Sequence, residues 1–486
     1  MTAPTSETTP PGPLSGEQWP APRIHALAPD AASQKAGVKL AVAAPWSGCG
    51  VCAAERLLWG DCKGSGAKPY QVTVEFPADP AQPPGSACTC PSRKFPCKHA
   101  LGLMLLWSAG QVTEAAVPER VREWLTGRRE RAERSAARKA AQEARATESG
   151  ADDTAAVRSA AAATRRATQR VERISAGLDD LDLWLRDQLR AGLTGLKAAG
   201  YRPLDDLARR LVDAQAPTVA GRIRTLAGLL GADDWPDRVL AELALLHLLI
   251  EGWRNRDALP APLAATVRRR IGIAASSAEI TAAGEHVADR WLVLGARDLA
   301  GDKLVERRIW LQGEASSRLA VLLAFAPTGQ SPGLAFPVGA AVEAELAFAP
   351  EALPLRAIVV DPEELRLRPD DGPTPPQAAT LDEAAAAFAA AIAADPWTTA
   401  IPVVLGAAVP VLDPADSGRR IVDVKSGTCV PLVGEGGADE QSRADEAYHM
   451  LLAAGGGRPC PLFGLYHPGG FAAVTVFTES GAVSVI

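Results

Sequence analysis

No run of eighteen uncharged apolar residues occurs in the 486-residue chain, so nothing in it reads as a membrane-spanning helix. The opening residues, MTAPTSETTPPGPLSGEQWP, lack both a basic n-region and an apolar h-region. Export is therefore not expected, and the cytosol is the expected location. Excess positive charge is missing as well. The 51 Lys and Arg face 57 Asp and Glu, a formal net charge of -6, which argues against a protein that coats nucleic acid through bulk charge and leaves room only for a local basic patch. Catalytic signatures are absent too: there is no His-Glu-x-x-His, no Gly-x-Ser-x-Gly and no phosphate loop. Residues Gly60 to Lys68 contain glycines and a lysine, but at the wrong spacing and with no Ser or Thr after the Lys. His247 sits inside Leu245-Leu246-His247-Leu248-Leu249, the setting of a core histidine, and His286, His449 and His467 have no partners nearby in sequence. The expectation is a protein that is not an enzyme.

What is present points to several units. The length is roughly three times that of a usual domain, and an apolar fraction of 47% with 22% charged residues is close to the globular average. Residues 1–45 read as a weakly ordered tail, its first twenty positions rich in proline. Residues 46–110 form a small, loop-rich module holding six of the eight cysteines. The stretch 111–175 is rich in Ala, Arg and Glu and reads as a solvated helix or linker, interrupted at Ser149-Gly150 and Asp152-Asp153. From 176 to 283 the apolar spacing is helical, with Leu181, Trp184, Leu185, Gln188 and Leu189 on one stripe. Short apolar runs between turn residues make 284–370 β-rich and antiparallel, 371–395 holds a linker and a helix from Leu381 to Ala393, and 396–486 is a second, smaller α+β unit. No repeat between these blocks is evident.

The chemistry concentrates in Cys88-Thr89-Cys90-Pro91-Ser92-Arg93-Lys94-Phe95-Pro96-Cys97-Lys98-His99. Three thiols and an imidazole make a complete tetrahedral set for Zn²⁺. Cys88 and Cys90, two apart, share a side if the chain there is extended. Cys97 and His99 at the same spacing would diverge within a regular helix, so they must straddle a helix start, for which Pro96 is suited. Ala100 to Ala109 then reads as a buried apolar helix closing at Gly110. Four protein ligands leave no open position, so the metal's task is structural. A second thiol group, Cys49, Cys52 and Cys62, has no evident fourth ligand and reads as ordinary core side chains, with a second metal site or dithiol chemistry as the alternatives. Cys429 and Cys460 stand alone. Arg93, Lys94 and Lys98 place positive charge around the ligands and are the candidate phosphate contacts.

The Cys-x-Cys and Cys-x-His order around CPSRKFPCKH, with Leu58-Trp59-Gly60-Asp61-Cys62-Lys63-Gly64-Ser65-Gly66 and Lys68-Pro69-Tyr70-Gln71-Val72 upstream, resembles a bacterial SWIM-type zinc finger over about residues 55–108. That resemblance implies a ββα finger with Cys88, Cys90, Cys97 and His99 as ligands, a role in binding DNA or protein, and no catalysis. It also suggests a cellular complex, with an AAA-type ATPase as one partner class. The expected architecture is thus α+β and multidomain: an N-terminal ββα zinc-finger module, a basic helical linker, a helical bundle and an antiparallel β-rich C-terminal part. The expected function is protein contact within a cytosolic complex, with a DNA-binding regulator as the alternative.

Overall fold

The computed structural model of the chain describes residues 19–128 and 153–485, apart from short breaks at 29–30, 65–67, 78–83, 91, 93–95, 302–303, 329–331, 333, 335, 363, 369–375, 414, 416–417, 435–439 and 480. Its first unit is a four-stranded antiparallel meander, β1 (Trp46–Cys52), β2 (Leu57–Cys62), β3 (Tyr70–Glu75) and β4 (Gly85–Cys88), in that order across the sheet. Helix α1 (Ala21–Ala26), helix α2 (Ala31–Leu40) and helix α3 (Lys98–Ser108) cover one face. Alternation along β2 and β3 splits the apolar side chains between two cores. Leu58, Val72 and Val74 pack under α3 with Leu101, Leu103 and Met104. Leu57 and Trp59 face the other way and meet Val117, Val121 and Leu125, the last two on α4, residues 119–128.

Two expectations need correction here. The stretch 1–45 is not a weakly ordered tail where it is described: Trp19 and Ile24 are buried in the finger's core, the Trp19 ring tilted against Phe76 with centroids 5.3 Å apart. Each such burial stabilises by about 1.5–3 kcal/mol. Helix α2 lies so close to α3 that a Cβ on Gly37 would fall 2.8 Å from the Cβ of Leu101. The second correction concerns 111–175. Val117, Val121 and Leu125 close the back of the sheet; the expected breaks at Ser149-Gly150 and Asp152 lie outside the described residues, and from Asp153 a single helix, α5 (Asp153–Ala191), crosses the anticipated boundary at 175. The low-complexity text concealed this, because alanine and arginine carry helix propensity without marking a face.

The helical unit continues through α6 (Leu193–Ala199), α7 (Tyr201–Asp213), α8 (Pro217–Leu229), α9 (Trp235–Arg254), α10 (Ala261–Ile271) and α11 (Ser277–Ala283). Its core runs from Ile174, Leu178, Leu181 and Leu185 of α5 to Val267 and Ile271 of α10. Leu189, expected on the buried stripe, is 55% exposed near the end of α5.

Two β-units follow. In the first, β5 (His286–Ala300), β6 (Leu304–Gly313), β7 (Leu319–Pro327), β8 (Ala341–Phe348) and β9 (Arg356–Val359) close into a ring, since β9 pairs with both β7 and β8 and β8 returns to β5. Strand β10 (Arg366–Arg368) adds at the outer edge of β8. The β7–β9 pairing is parallel, a departure from the antiparallel expectation for 284–370. After α12 (Leu381–Ala394), the second unit repeats this order with β11 (Ile401–Leu412), β12 (Arg419–Asp423), β13 (Cys429–Pro431), α13 (Glu440–Gly455), β14 (Cys460–His467) and β15 (Gly470–Thr478), β16 (Gly481–Ser484) adding at the edge. A parallel bridge from Leu432 to Phe471 closes it. Numbering each unit's strands from one, both rings run 1-2-3-5-4 and back to 1, a repeat that the sequence did not disclose. The outer walls of the rings share a core: Leu292, Leu294 and Trp310 of the first meet Phe463, Leu465 and Val474 of the second.

The bundle is tied to both rings. Trp397, just after α12, is buried in the bundle core and its Nε1 donates to the Leu245 carbonyl at 2.8 Å. Asp395, fully buried, accepts from Arg269 and Arg270 of α10, and Arg269 also pairs with Glu351 of the first ring at 2.6 Å.

Candidate metal centre

Each of the four expected ligands is placed by a different local feature. Cys88 is the last residue of β4, opposite Val72 on β3. The pairing continues one residue past the strand, with the Thr89 amide donating to the Gln71 carbonyl at 3.1 Å and the Gln71 amide donating to the Thr89 hydroxyl at 2.9 Å. Cys90 follows on a bend. Cys97 is the N-cap of α3, in extended conformation (φ -72°, ψ 165°), and its carbonyl accepts the Leu101 amide. His99 is the second helical residue. The straddled helix start therefore turns two residues that would diverge on a helix toward one point. Gly110, at φ +74°, ends the chain's helical run in the left-handed region.

The ligand atoms of Cys88, Cys90, Cys97 and His99 all lie within 4.8 Å of one another. His99 Nδ1 is 3.8 Å from the Cys88 sulfur and 4.0 Å from the Cys97 sulfur. A tetrahedral zinc with bonds of about 2.3 Å to sulfur and about 2.0 Å to nitrogen needs sulfur–nitrogen edges of about 3.5 Å. These two sulfur–nitrogen edges fit with a contraction of about 0.3–0.5 Å. Its electrostatics ask for a cation. A hydrogen bond shared with Cys90 pushes the Cys88 thiol up, while the bonds that Cys88 and Cys97 give to Cys90 hold Cys90 below its ordinary value. Three sulfurs this close cannot all ionise unless a positive charge sits between them. Zn²⁺ is the metal this donor set holds, and with four protein ligands its role there is structural.

Cys97 and His99 are buried, Cys88 and Cys90 half-buried. The Tyr70 ring lies 4.9 Å from the His99 ring and fixes its plane. Tyr70 was within the upstream resemblance but had no role that spacing could reveal, since the contact depends on β3 running beside α3. Asp61 and Arg120 form a 2.7 Å ion pair across the sheet, equally invisible in the sequence.

Among the described residues no second group of metal ligands is present. Cys49 packs into the core under α3 and Cys52 into the core behind the sheet, so their side chains lie on opposite faces. Burial pushes the Cys49 thiol up to about 11, with Asp61 and Cys62 adding to it, and burial likewise raises Cys62. These are core thiols. Cys429 and Cys460 begin β13 and β14 of the second ring and are not in the ligand cluster. Of the candidate basic contacts, Lys98 is exposed between two buried ligands, while Arg93 and Lys94 lie outside the described residues.

Comparison with known families agrees with this geometry. Residues 70–107 match the model of the SWIM zinc finger, and residues 169–271 match that of the SWIM-associated four-helix bundle domain. No curated protein and no solved structure matches the chain.

Proposed function

We propose that this protein is a zinc-stabilised interaction protein without catalytic activity, its finger mediating protein contacts within a cytosolic complex. The observation that carries this reading is the burial of α3. Every residue from His99 to Trp107 is buried, between the sheet on one side and α1 and α2 on the other. A helix so enclosed has no face to lay in a DNA groove, where a recognition helix must expose side chains to base edges. A metal with four protein ligands offers no reactive position. No described helix is long and apolar enough to cross a membrane. The partner is a protein, and the AAA-type ATPases suggested by the finger's resemblance are the first class to test.

Co-purification of the full chain from its native cell, with zinc analysis of the same sample, tests this directly. The expected result is a defined protein partner retained by the wild type and lost from Cys97→Ser. The competing reading, a DNA-binding regulator using Lys98 with Arg93 and Lys94, predicts instead tight binding to random duplex DNA that weakens steeply between two salt concentrations. That result, with no zinc-dependent partner, would overturn the proposal.

A further inference from the structure

We infer that the seam between α5 and α7 is a docking groove for an acidic amphipathic helix of a partner protein. A cavity of about 230 Å³ opens there, lined by Arg173, Gly177 and Asp180 of α5 and Leu207, Arg210 and Leu211 of α7, with Ala176 and Ala214 completing the wall. On each helix the lining residues fall three and four apart and so make one continuous face. The floor is apolar: Leu207 and Leu211 are buried, and at Gly177 the two helices meet so closely that a Cβ would fall 2.4 Å from the Cβ of Ala214.

The charge above this floor is positive and uncommitted. On the same bundle Arg186, Arg209, Arg222, Arg224, Arg238 and Arg254 each hold a carboxylate. Among the described residues, Arg173 and Arg210 hold none. Along α5 ahead of the groove, Arg165, Arg166, Arg170 and Arg173 stand against Glu172, with Asp179 and Asp180 at its far end, so the approach from that side is basic within an acidic protein. Asp180 is the one acid in the lining. An apolar trough flanked by free guanidinium groups suits a helix that presents leucine on one face and carboxylates beside it, the helix-in-groove mode with paired arginine contacts. Nucleic acid would use the arginines and leave the apolar floor empty.

The inference rests on the reading of the chain as an interaction protein, and its test separates the two. A fluorescein-labelled peptide of repeating Glu-Glu-Leu-Leu, its Lys-Lys-Leu-Leu counterpart and a random DNA duplex are titrated with the full chain and followed by fluorescence anisotropy. Saturable binding of the acidic peptide is expected, with the lysine peptide and the duplex both weaker. Arg173→Glu with Arg210→Glu is expected to weaken the acidic peptide about tenfold or more. Ala176→Trp, which fills the cavity and keeps both arginines, is expected to weaken it as well. Circular dichroism shows whether each variant remains folded. Absence of acidic-peptide binding, binding indifferent to these substitutions, or tighter binding of the duplex would each overturn the inference. Cys97→Ser is expected to bind the peptide like the wild type, so a failure of the finger leaves this groove standing and a failure of the groove leaves the finger standing.

Discussion

Replacing Cys97 by serine removes one of four metal ligands at a site with no spare donor. Structural zinc binding to finger peptides is worth about 10–16 kcal/mol. An even share for Cys97 is about 3–4 kcal/mol, or two to three orders of magnitude in zinc affinity. The consequence is larger than the local loss. Cys97 also caps α3, and α3 supplies most of the core under the sheet, from Ala100 to Trp107. A term comparable to the whole net stability of a typical domain, about 5–15 kcal/mol, holds that helix in place. The expected outcome is that residues 19–128 lose cooperative structure under chelating competition while residues 174–485, which have their own cores, stay folded. Calorimetry with zinc analysis reads this as loss of one transition and retention of the others, and limited proteolysis should cut only the N-terminal unit. Full zinc occupancy in Cys97→Ser with an unchanged first transition would refute the reasoning. So would unfolding of the entire chain.

Cys49→Ser should leave one zinc per chain by metal analysis, because Cys49 lies in the core and outside the ligand cluster. Asp395→Ala should cost about 3–5 kcal/mol in urea denaturation, since it strands Arg270 without its buried carboxylate and leaves Arg269 with Glu351 alone; a cost below about 1 kcal/mol would mean the contact does not tie the bundle to the rings. His286 donates from Nε2 to the Thr281 carbonyl at 2.8 Å and from Nδ1 to Glu345 at 2.9 Å, and the carbonyl contact, with Glu345 adding to it, raises its pKa above the ordinary 6.5. A raised folded value means the charged ring stabilises the fold at low pH, and the benefit fades as pH climbs through that folded value. The melting-point difference between wild type and His286→Ala should therefore be greatest below pH 6.5 and shrink above it.

The ligands were legible because zinc chemistry restricts both residue type and spacing, and because a two-residue gap on either side of a helix start has few geometric solutions. Helix ends were legible for similar reasons: Pro96 before α3, Gly110 after it. The N-terminal helices were not, because Trp19 and Ile24 stand in proline-rich or alanine-rich text, and only the third dimension shows the core they complete. The ββα expected of the finger is there as β3, β4 and α3, and β1 and β2 extend its sheet; β1 was hard to see because Trp46–Cys52 carries two glycines and two cysteines in place of the branched residues that mark strands. The matching strand order of the two rings leaves no trace in the sequence, because topology can recur without any shared side chain. Their shared wall leaves none for a related reason: Trp310 and Phe463 lie far apart in sequence, and alternation assigns each to a face without saying what that face will touch.

The close seating of α2 against α3 bears on how this finger can be handled as a piece. Trimming the chain at residue 46, where the thiol-rich text starts, would strip the lid from its hydrophobic interior and bare Leu101, Met104 and Trp107 to water. Such a fragment should stick to itself and to other surfaces, so any partner it captured would report an artificial wound and not the native recognition face.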